Sequence, residues 1–205
     1  MNKILFWNVD TQYDFMRKNG KLYVQDAELI EPNLQLLTNA AKEKNIQVVN
    51  SADAHTIHSK EISNSPDFQN TFPEHCIIGT SGFEYIEATK PEKPFIVKYT
   101  DVILNSKKII NTRNIVIYKD VFDVFEGNKH TKEIVKLINP EIVIIFGVTT
   151  NVCVDQAVMG LTKMGKTIIV VKDAIKELPN LQSPEEKWIK NSVIFMNTRE
   201  IFEWI

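Results

Sequence analysis

The stretch 141–165, EIVIIFGVTTNVCVDQAVMGLTKMG, contains a strand pattern followed at once by a helix pattern. Residues 141–147 form a short, β-branched and almost uninterrupted apolar run, which is typical of a strand buried on both faces of a parallel sheet. Apolar residues then recur at helical spacing, at Val154, Val158, Leu161 and Met164. Gly165 is suited to cap a helix over 151–164. The stretch therefore predicts one strand–helix unit of an α/β protein.

The same alternation extends in both directions along the chain. Apolar runs of strand type lie at residues 3–9, 46–50, 114–119, 166–171 and 191–196. Helical patterns cover 31–44, with Pro32 in its first turn, and 131–138, which ends before Pro140. Strands and helices in this order predict an α/β fold with a central, mainly parallel sheet of about six strands and helices on both faces.

Residues 53–113 interrupt this alternation. The region is loop-rich and holds three of the four histidines, and its run 94–99, PFIVKY, is predicted as an extra strand or hairpin arm. Long loops inside a compact domain are often functional. Because the chain contains no repeat, linker or low-complexity tract, we expect one domain over 1–205 with a loop-rich insertion at about 53–113.

Composition excludes several classes of protein. The chain has 205 residues, 43% of them hydrophobic and 24% charged, with a net charge of -2 and two cysteines. These values disfavour disorder, broad nucleic-acid binding and a disulfide framework. No run is long and apolar enough to span a membrane, and Asp10 comes too early for a signal peptide. The expectation is a soluble, cytoplasmic protein without a nucleic-acid or membrane partner.

The ends of four predicted strands carry the candidate catalytic residues. These strands run into Asp10, Asp53, Lys119 and the segment 147–153, GVTTNVC. Ligands of open α/β sheets bind at the carboxyl ends of the strands, although each residue taken singly also has an ordinary structural role. A helix N-terminus and a nearby lysine stabilise a thiolate, and an aspartate can accept the thiol proton. Asp10, Lys119 and Cys153 therefore form a candidate nucleophilic set.

The histidines indicate a second candidate site. Asp53 and His55 are two residues apart, so in extended chain they point to the same side, and His58 and His75 follow in the loop-rich segment. A carboxylate with two imidazoles suits Zn²⁺, Mn²⁺ or Fe²⁺, with solvated surface residues as the alternative. His130, beside Lys129, is predicted to be a surface residue. Neither G-x-G-x-x-G nor a P-loop occurs, so no nucleotide cofactor is expected.

Three segments resemble one known family. They are 9–15, VDTQYDF; 72–76, FPEHC, followed by 79–82, GTSG; and 147–154, GVTTNVCV. In order and spacing they are similar to the V-D-x-Q-x-D-F, W-P-x-H-C…G-T-x-G and G-V-x-T-x-x-C-V motifs of the isochorismatase-like cysteine hydrolases, and most like those of the nicotinamidases and pyrazinamidases. The resemblance covers nearly the whole chain.

The resemblance implies a Rossmann-like three-layer fold with the catalytic triad Asp10, Lys119 and Cys153. It also implies a cis peptide between Val148 and Thr149, with the backbone amides of Thr149 and Cys153 directed at the oxyanion. Lys98 is a rival for the catalytic lysine. Lys119 is preferred because it ends the clearer core strand and its spacing to the cysteine is nearer that of the family.

The resemblance also places Asp53, His55 and His75 on the nicotinamidase metal positions, where zinc is the first expectation and manganese or iron the alternatives. His58 is close to where some members offer an additional histidine. Phe15 and Phe72 would flank the substrate ring. Two segments depart from the family pattern: 119–125 keeps only the final aromatic residue of the lysine motif, and 53–56 lacks the usual tryptophan and proline.

Three functions follow from these features. The first is metal-assisted hydrolysis of nicotinamide or a similar small heteroaromatic amide through a thioester, as in NAD salvage. The second keeps the triad and acts without metal on a ureido, carbamoyl or vinyl-ether substrate. The third is a catalytically silent binding protein on the same fold. Members of the family are often dimers or tetramers, so a homo-oligomer is left open.

Overall fold

The computed structural model describes residues 3–205, and within them seven strands form one parallel sheet. The strands are β1 Ile4–Val9, β2 Gln47–Asp53, β3 Phe95–Val97, β4 Asn114–Lys119, β5 Ile142–Val148, β6 Thr167–Lys176 and β7 Ile194–Met196. Their order is β3-β4-β2-β1-β5-β6-β7. The predicted α/β fold is confirmed, with seven strands where about six were expected. The additional strand is β3, which pairs with β4 at one edge and lies inside the predicted insertion.

Helices cover both faces of this sheet. They are α1 Tyr13–Met16, α2 Glu31–Glu43, α3 Ser106–Asn111, α4 Val124–Gly127, α5 Thr131–Ile138, α6 Asp155–Lys163, α7 Glu185–Lys190 and α8 Thr198–Trp204. None of them is long and apolar enough to cross a membrane. The helix predicted over 151–164 begins instead with a π-helical turn, Thr150–Val154, and becomes α-helical at Asp155.

The two apolar cores follow from the alternation of side chains along the strands. On β1, Phe6 packs into the core beneath α2 and α8, whereas Leu5, Trp7 and Val9 pack into the core beneath α5 and α6. All of these side chains are buried. Since the central strands are apolar on both faces, their polar groups collect at the strand ends.

The carboxyl edge of the sheet collects the candidate residues. β1 lies between β2 and β5, and β4 lies beyond β2. Asp53 pairs in register with Lys119 across β2 and β4, while Val9 lies opposite Gly147 on β5. Parallel pairing therefore brings the ends of four strands to one place, as the sequence predicts.

The segment between β2 and β3 folds back over this edge. Isolated bridges join His55 to Ile77 and Ile62 to Phe72. The side chain of Gln12 accepts the N–H of Asp53 and donates to the carbonyl oxygens of Asp53 and Phe83, each at 2.8 Å. The loop-rich segment is thus tied to the end of β2, and its histidines lie against the sheet.

Gly147 allows the central strands β1 and β5 to pack closely, and its replacement tests that contact. It has φ +117°, and a Cβ there would lie 2.1 Å from the backbone oxygen of Val9, which cannot move without disturbing β1. We expect Gly147→Ala to lower the free energy of unfolding by about 3 kcal/mol, measured by urea denaturation. The matched control is Gly165→Ala, because Gly165 also has positive φ, +73°, but open space around it. That variant is expected to lose about 1 kcal/mol, and equal losses would contradict the steric argument.

Candidate active site

Cys153, Lys119 and Asp10 meet at the carboxyl edge of the sheet. The Nζ of Lys119 lies 3.7 Å from the Sγ of Cys153 and 3.0 Å from Oδ2 of Asp10. Carboxylate oxygens of Asp10 and Asp53 and the Sγ of Cys153 all lie within 4.8 Å of one another. All four side chains are buried. The structure therefore brings together the three residues predicted as a triad, with Asp53 beside them.

Asp10 is oriented toward the thiol. Its Oδ1 accepts a hydrogen bond from the Ser51 hydroxyl at 2.7 Å. Its Oδ2, although near Lys119, accepts no well-aligned hydrogen bond from the described residues. Burial raises the pKa of Asp10, and the positive charge of Lys119 opposes that rise. A carboxylate fixed near the thiol, with Lys119 as its counter-charge, is the arrangement that a general base requires.

The thiol itself is kept in its neutral form by the surrounding structure. Burial raises the pKa of the Cys153 thiol well above its usual value, and the charge of Lys119 only partly offsets this. The sequence suggested a thiolate stabilised by a helix terminus and a lysine. The structure differs because desolvation outweighs that one cation. Attack by the sulfur would therefore require transfer of its proton to Asp10.

Lys119 is the cation of the site. It forms a direct ion pair with Asp53 as well as its contact with Asp10. These two carboxylates raise the pKa of Lys119 well above its ordinary value despite complete burial, so the side chain stays charged. Lys98, the rival from the sequence, is exposed and directly follows the edge strand β3, which is separated from β2 by β4.

Asp53, His55 and His75 form a second cluster that shares Asp53 with the first. The Nε2 atoms of His55 and His75 lie 3.8 Å and 3.6 Å from the two oxygens of Asp53. One ligand atom from each residue falls within 4.8 Å of the others. His75 Nδ1 contacts the carbonyl oxygen of Pro73 at 2.7 Å, which leaves its Nε2 for the cluster.

The chemistry of this donor set fits a divalent metal. Neither ring nitrogen of His55 has a hydrogen-bond partner among residues 3–205, although the ring is fully buried. Burial lowers the pKa of His55 to about 4, so the imidazole is neutral, which is the form that binds metals. Two imidazoles and a carboxylate are ligands that zinc accepts. One unpartnered nitrogen of His55 is thus available to a metal ion beside Asp53 and His75.

Glu61 belongs to the same region and was missed from the sequence. It is 2% exposed, and its Oε2 has no partner within the described chain. Burial, followed by the charge of Asp53, raises the pKa of Glu61 to about 8. It lines the same cavity as Asp53 and His75. Nothing in the local sequence distinguishes Glu61 from the exposed acidic residues of this segment. Its burial follows from the bridge between its neighbour Ile62 and Phe72, which lies ten residues further along the chain.

Two other histidines lie outside the cluster. His58, proposed as an accessory residue, is exposed. His130 was predicted to lie on the surface, and this is wrong: it is 6% exposed, and its Nε2 contacts the carbonyl oxygen of Asp101 at 2.9 Å. The physical reason is the position of Asn128. Its side chain accepts the backbone N–H of His130 and donates to the carbonyl oxygen of Val97 at the end of β3. These bonds hold His130, at the start of α5, against the loop that contains Asp101.

A small, mostly apolar cavity lies above the cysteine. It leaves about 220 Å³ of space, part of which is open to solvent. Its lining comprises Phe15, Leu22, Asp53, Glu61, Phe72, His75, Phe122, Thr149, Val152, Cys153 and Leu178. Phe15 and Phe72 pack their rings 5.4 Å and 6.2 Å from that of His75. Aromatic and aliphatic walls with a few polar groups suit a small, flat molecule.

The comparisons with known proteins agree with this arrangement. The model of the isochorismatase domain matches residues 4–188. The chain belongs to the isochorismatase family. The resemblance seen in the sequence is thereby confirmed at the level of family and fold. No curated protein matches the sequence.

Solved structures of similar fold include several hydrolases. The N-carbamoylsarcosine amidase of Thermoplasma acidophilum is 17% identical, with 96% of each chain covered and a TM-score of 0.72. The nicotinamidase/pyrazinamidase of Bacillus subtilis is 22% identical, and the alignment covers 95% of this chain and 100% of that one, with a TM-score of 0.71. The pyrazinamidase of Pyrococcus horikoshii in complex with zinc is 22% identical over 95% of this chain and 99% of that one, with a TM-score of 0.70. At these identities the likeness shows the fold.

The turn that carries Cys153 in this isochorismatase-family chain also fixes the cavity wall. The peptide between Val148 and Thr149 is cis, as the resemblance implies. The side chain of Asn151 donates to the carbonyl oxygen of Leu178 at 2.9 Å and accepts its N–H at 3.1 Å. This pair of bonds holds Leu178 against the cavity that Val152 and the cysteine also line. The contact could not be predicted from the sequence, because the segment after β6 carries no motif.

Proposed function

We propose that the chain is a metal-assisted cysteine amidohydrolase that converts nicotinamide, or a similar small heteroaromatic amide, to the acid and ammonia. The observation that carries the proposal is the position of Asp53. It contacts Lys119 on one side and His55 and His75 on the other, so the nucleophilic set and a metal-type ligand set share one cavity. Structural ion pairs alone do not require two buried imidazoles beside a cysteine.

In this proposal Cys153 is the nucleophile and Asp10 moves the proton. As the thiol proton passes to Asp10, the sulfur adds to the carboxamide carbon. The carbon–nitrogen bond then breaks, and Asp10 returns the proton to the nitrogen, which leaves as ammonia. Asp10 then takes a proton from water as the water oxygen adds to the thioester carbon. The carbon–sulfur bond breaks to release the acid, and the proton returns from Asp10 to the sulfur. Lys119 stays charged throughout and stabilises the carboxylate and the sulfur as their charges change.

Asp53, His55 and His75 would hold the metal, and Glu61 faces the same space. Zinc is proposed first, with manganese or iron as alternatives, because the set combines imidazole with carboxylate. When bound, such an ion supplies a Lewis-acidic position for a ring nitrogen or a water. The rings of Phe15 and Phe72 would enclose a flat heteroaromatic ring beside it.

The test is ammonia release from nicotinamide by purified protein supplied with zinc, manganese or iron. We expect turnover that falls at least about tenfold after chelation and returns when metal is added back. His55→Ala is expected to lose metal, measured by elemental analysis, together with activity. The matched control is His58→Ala, since His58 is exposed and outside the cluster. Absence of ammonia release from a metal-loaded preparation would refute nicotinamide as substrate.

A metal-independent hydrolase of carbamoyl or ureido compounds is the second candidate. It is favoured by the direct ion pair between Lys119 and Asp53, which satisfies that carboxylate without a metal. Metal analysis separates the two candidates, because full activity on a carbamoyl compound in metal-free protein fits only the second.

A further inference from the structure

Thr149 is a polar residue of the catalytic cavity whose hydroxyl has no role so far. The residue lies between β5 and the turn that carries Cys153, and it is 2% exposed. Its carbonyl oxygen accepts the N–H groups of Val152 at 3.1 Å and Val154 at 3.0 Å, which fixes the residue in place. Its Oγ1, by contrast, has no hydrogen-bond partner anywhere in residues 3–205.

An unpartnered hydroxyl in such a place requires an explanation. Buried polar side chains almost always have a partner, because leaving one unpaired away from water is unfavourable. Thr149 lines the cavity together with Phe72, Phe122 and Leu178, whose side chains offer no hydrogen bond. The polar groups of the same lining are Asp53, Glu61, His75 and Cys153, and none of them forms a hydrogen bond with the Thr149 hydroxyl. The hydroxyl is therefore available to a ligand in the cavity.

The chemistry of a primary carboxamide identifies which ligand atom fits. Its nitrogen carries two N–H donors, and against mostly apolar cavity walls each of them needs an acceptor. Under the proposed function, Asp10 faces one of these donors, since it later returns a proton to the same nitrogen. The other donor needs a second acceptor, and a hydroxyl provides one without adding another charge beside Asp10.

We propose that the Thr149 hydroxyl accepts one N–H of the substrate carboxamide and is a specificity-determining residue for primary amides. An ester presents no N–H at this position, and the hydroxyl can only donate to its alkoxy oxygen, so the ester depends on the hydroxyl less than the amide does. A site built to bind an N–H discriminates against analogues that lack it. The inference rests on the proposed function and adds to it the class of leaving group that the cavity selects.

The test compares nicotinamide with methyl nicotinate in three variants. Thr149→Val keeps the shape of the side chain and removes the acceptor, and it is expected to lower kcat/KM for the amide about tenfold while leaving the ester within about twofold. Thr149→Ser restores a hydroxyl and is expected to recover most of the amide activity. The control is Thr150→Val, because Thr150 lines a separate outer cleft with Lys172 and Pro179.

Each outcome decides the inference. Equal losses on amide and ester in Thr149→Val, or no loss on either, would overturn it, since a merely structural hydroxyl does not distinguish the two substrates. Thr149→Ala must show the same amide-to-ester ratio, so that misfolding of the valine variant leaves the test intact. Failure of wild-type protein to hydrolyse any heteroaromatic amide overturns the proposed function and this contact together, and it is recognised without any variant.

Discussion

Replacing Cys153 with alanine is expected to reduce amide hydrolysis by roughly four orders of magnitude or more, with the fold retained. The sulfur is the only protein atom that bonds to the substrate carbon in the proposed reaction, so no neighbouring group can substitute for it. The residue is buried at the bottom of the cavity and packs with Val154 and Ala157, which alanine disturbs little. Ammonia release and mass spectrometry of a trapped thioester provide the measurement.

The other cysteine offers the matched control. Cys76 is completely buried beside His75, and burial raises the pKa of its thiol as well. Its backbone N–H donates to Asp14 at 2.7 Å and its carbonyl oxygen accepts the N–H of His55 at 3.2 Å, so its contacts are made by the backbone. Cys76→Ala is therefore expected to retain activity and form the thioester normally. If Cys76→Ala abolished the thioester while Cys153→Ala preserved it, the assignment of the nucleophile would be reversed.

Replacing Lys119 with methionine is expected to lower activity roughly 10³-fold and also to destabilise the protein by about 3–5 kcal/mol. Methionine fills a similar volume but removes the charge that lies between Asp10 and Asp53. Two buried carboxylates would then face each other without a cation. Denaturation in urea measures the stability, and ammonia release measures the activity.

Two further variants sharpen this prediction. Lys98→Met is the control, because Lys98 is exposed and outside the cluster, and we expect neither loss. In the double variant Lys119→Met/Asp53→Asn one of the two carboxylates is neutral, so much of the stability should return while the activity does not. A Lys119→Met protein as stable as wild type would contradict the view that this lysine offsets both carboxylates.

Much of the fold follows from local sequence. The run 142–148 is apolar at every position, and parallel sheets buried on both faces require such strands. The edge strand β3 was harder to assign, since it has only three residues and one pairing neighbour. The π-helical turn before α6 was missed because apolar periodicity does not distinguish it from the first turn of an α-helix.

The residue types of the candidate site could also be predicted from the sequence. Asp10 and Lys119 follow apolar strands, and the spacing of Asp53 and His55 predicts that both face the same side. The buried positions of Glu61 and His130 could not be predicted in this way. Both residues are buried by backbone pairing and packing with distant segments, and no nearby residue indicates these contacts.

The sequence by itself determined the family, the parallel sheet and the set of residues at its carboxyl edge. Only the tertiary structure decided how these residues act on one another. It places Asp53 between Lys119 and two histidines and leaves the hydroxyl of Thr149 without a partner among residues 3–205. Its packing also buries the thiol of Cys153, which raises the pKa of that thiol. The physical reason is that motifs specify which groups are present, whereas burial and the distances between charges set their protonation, and those depend on the packing of the whole chain.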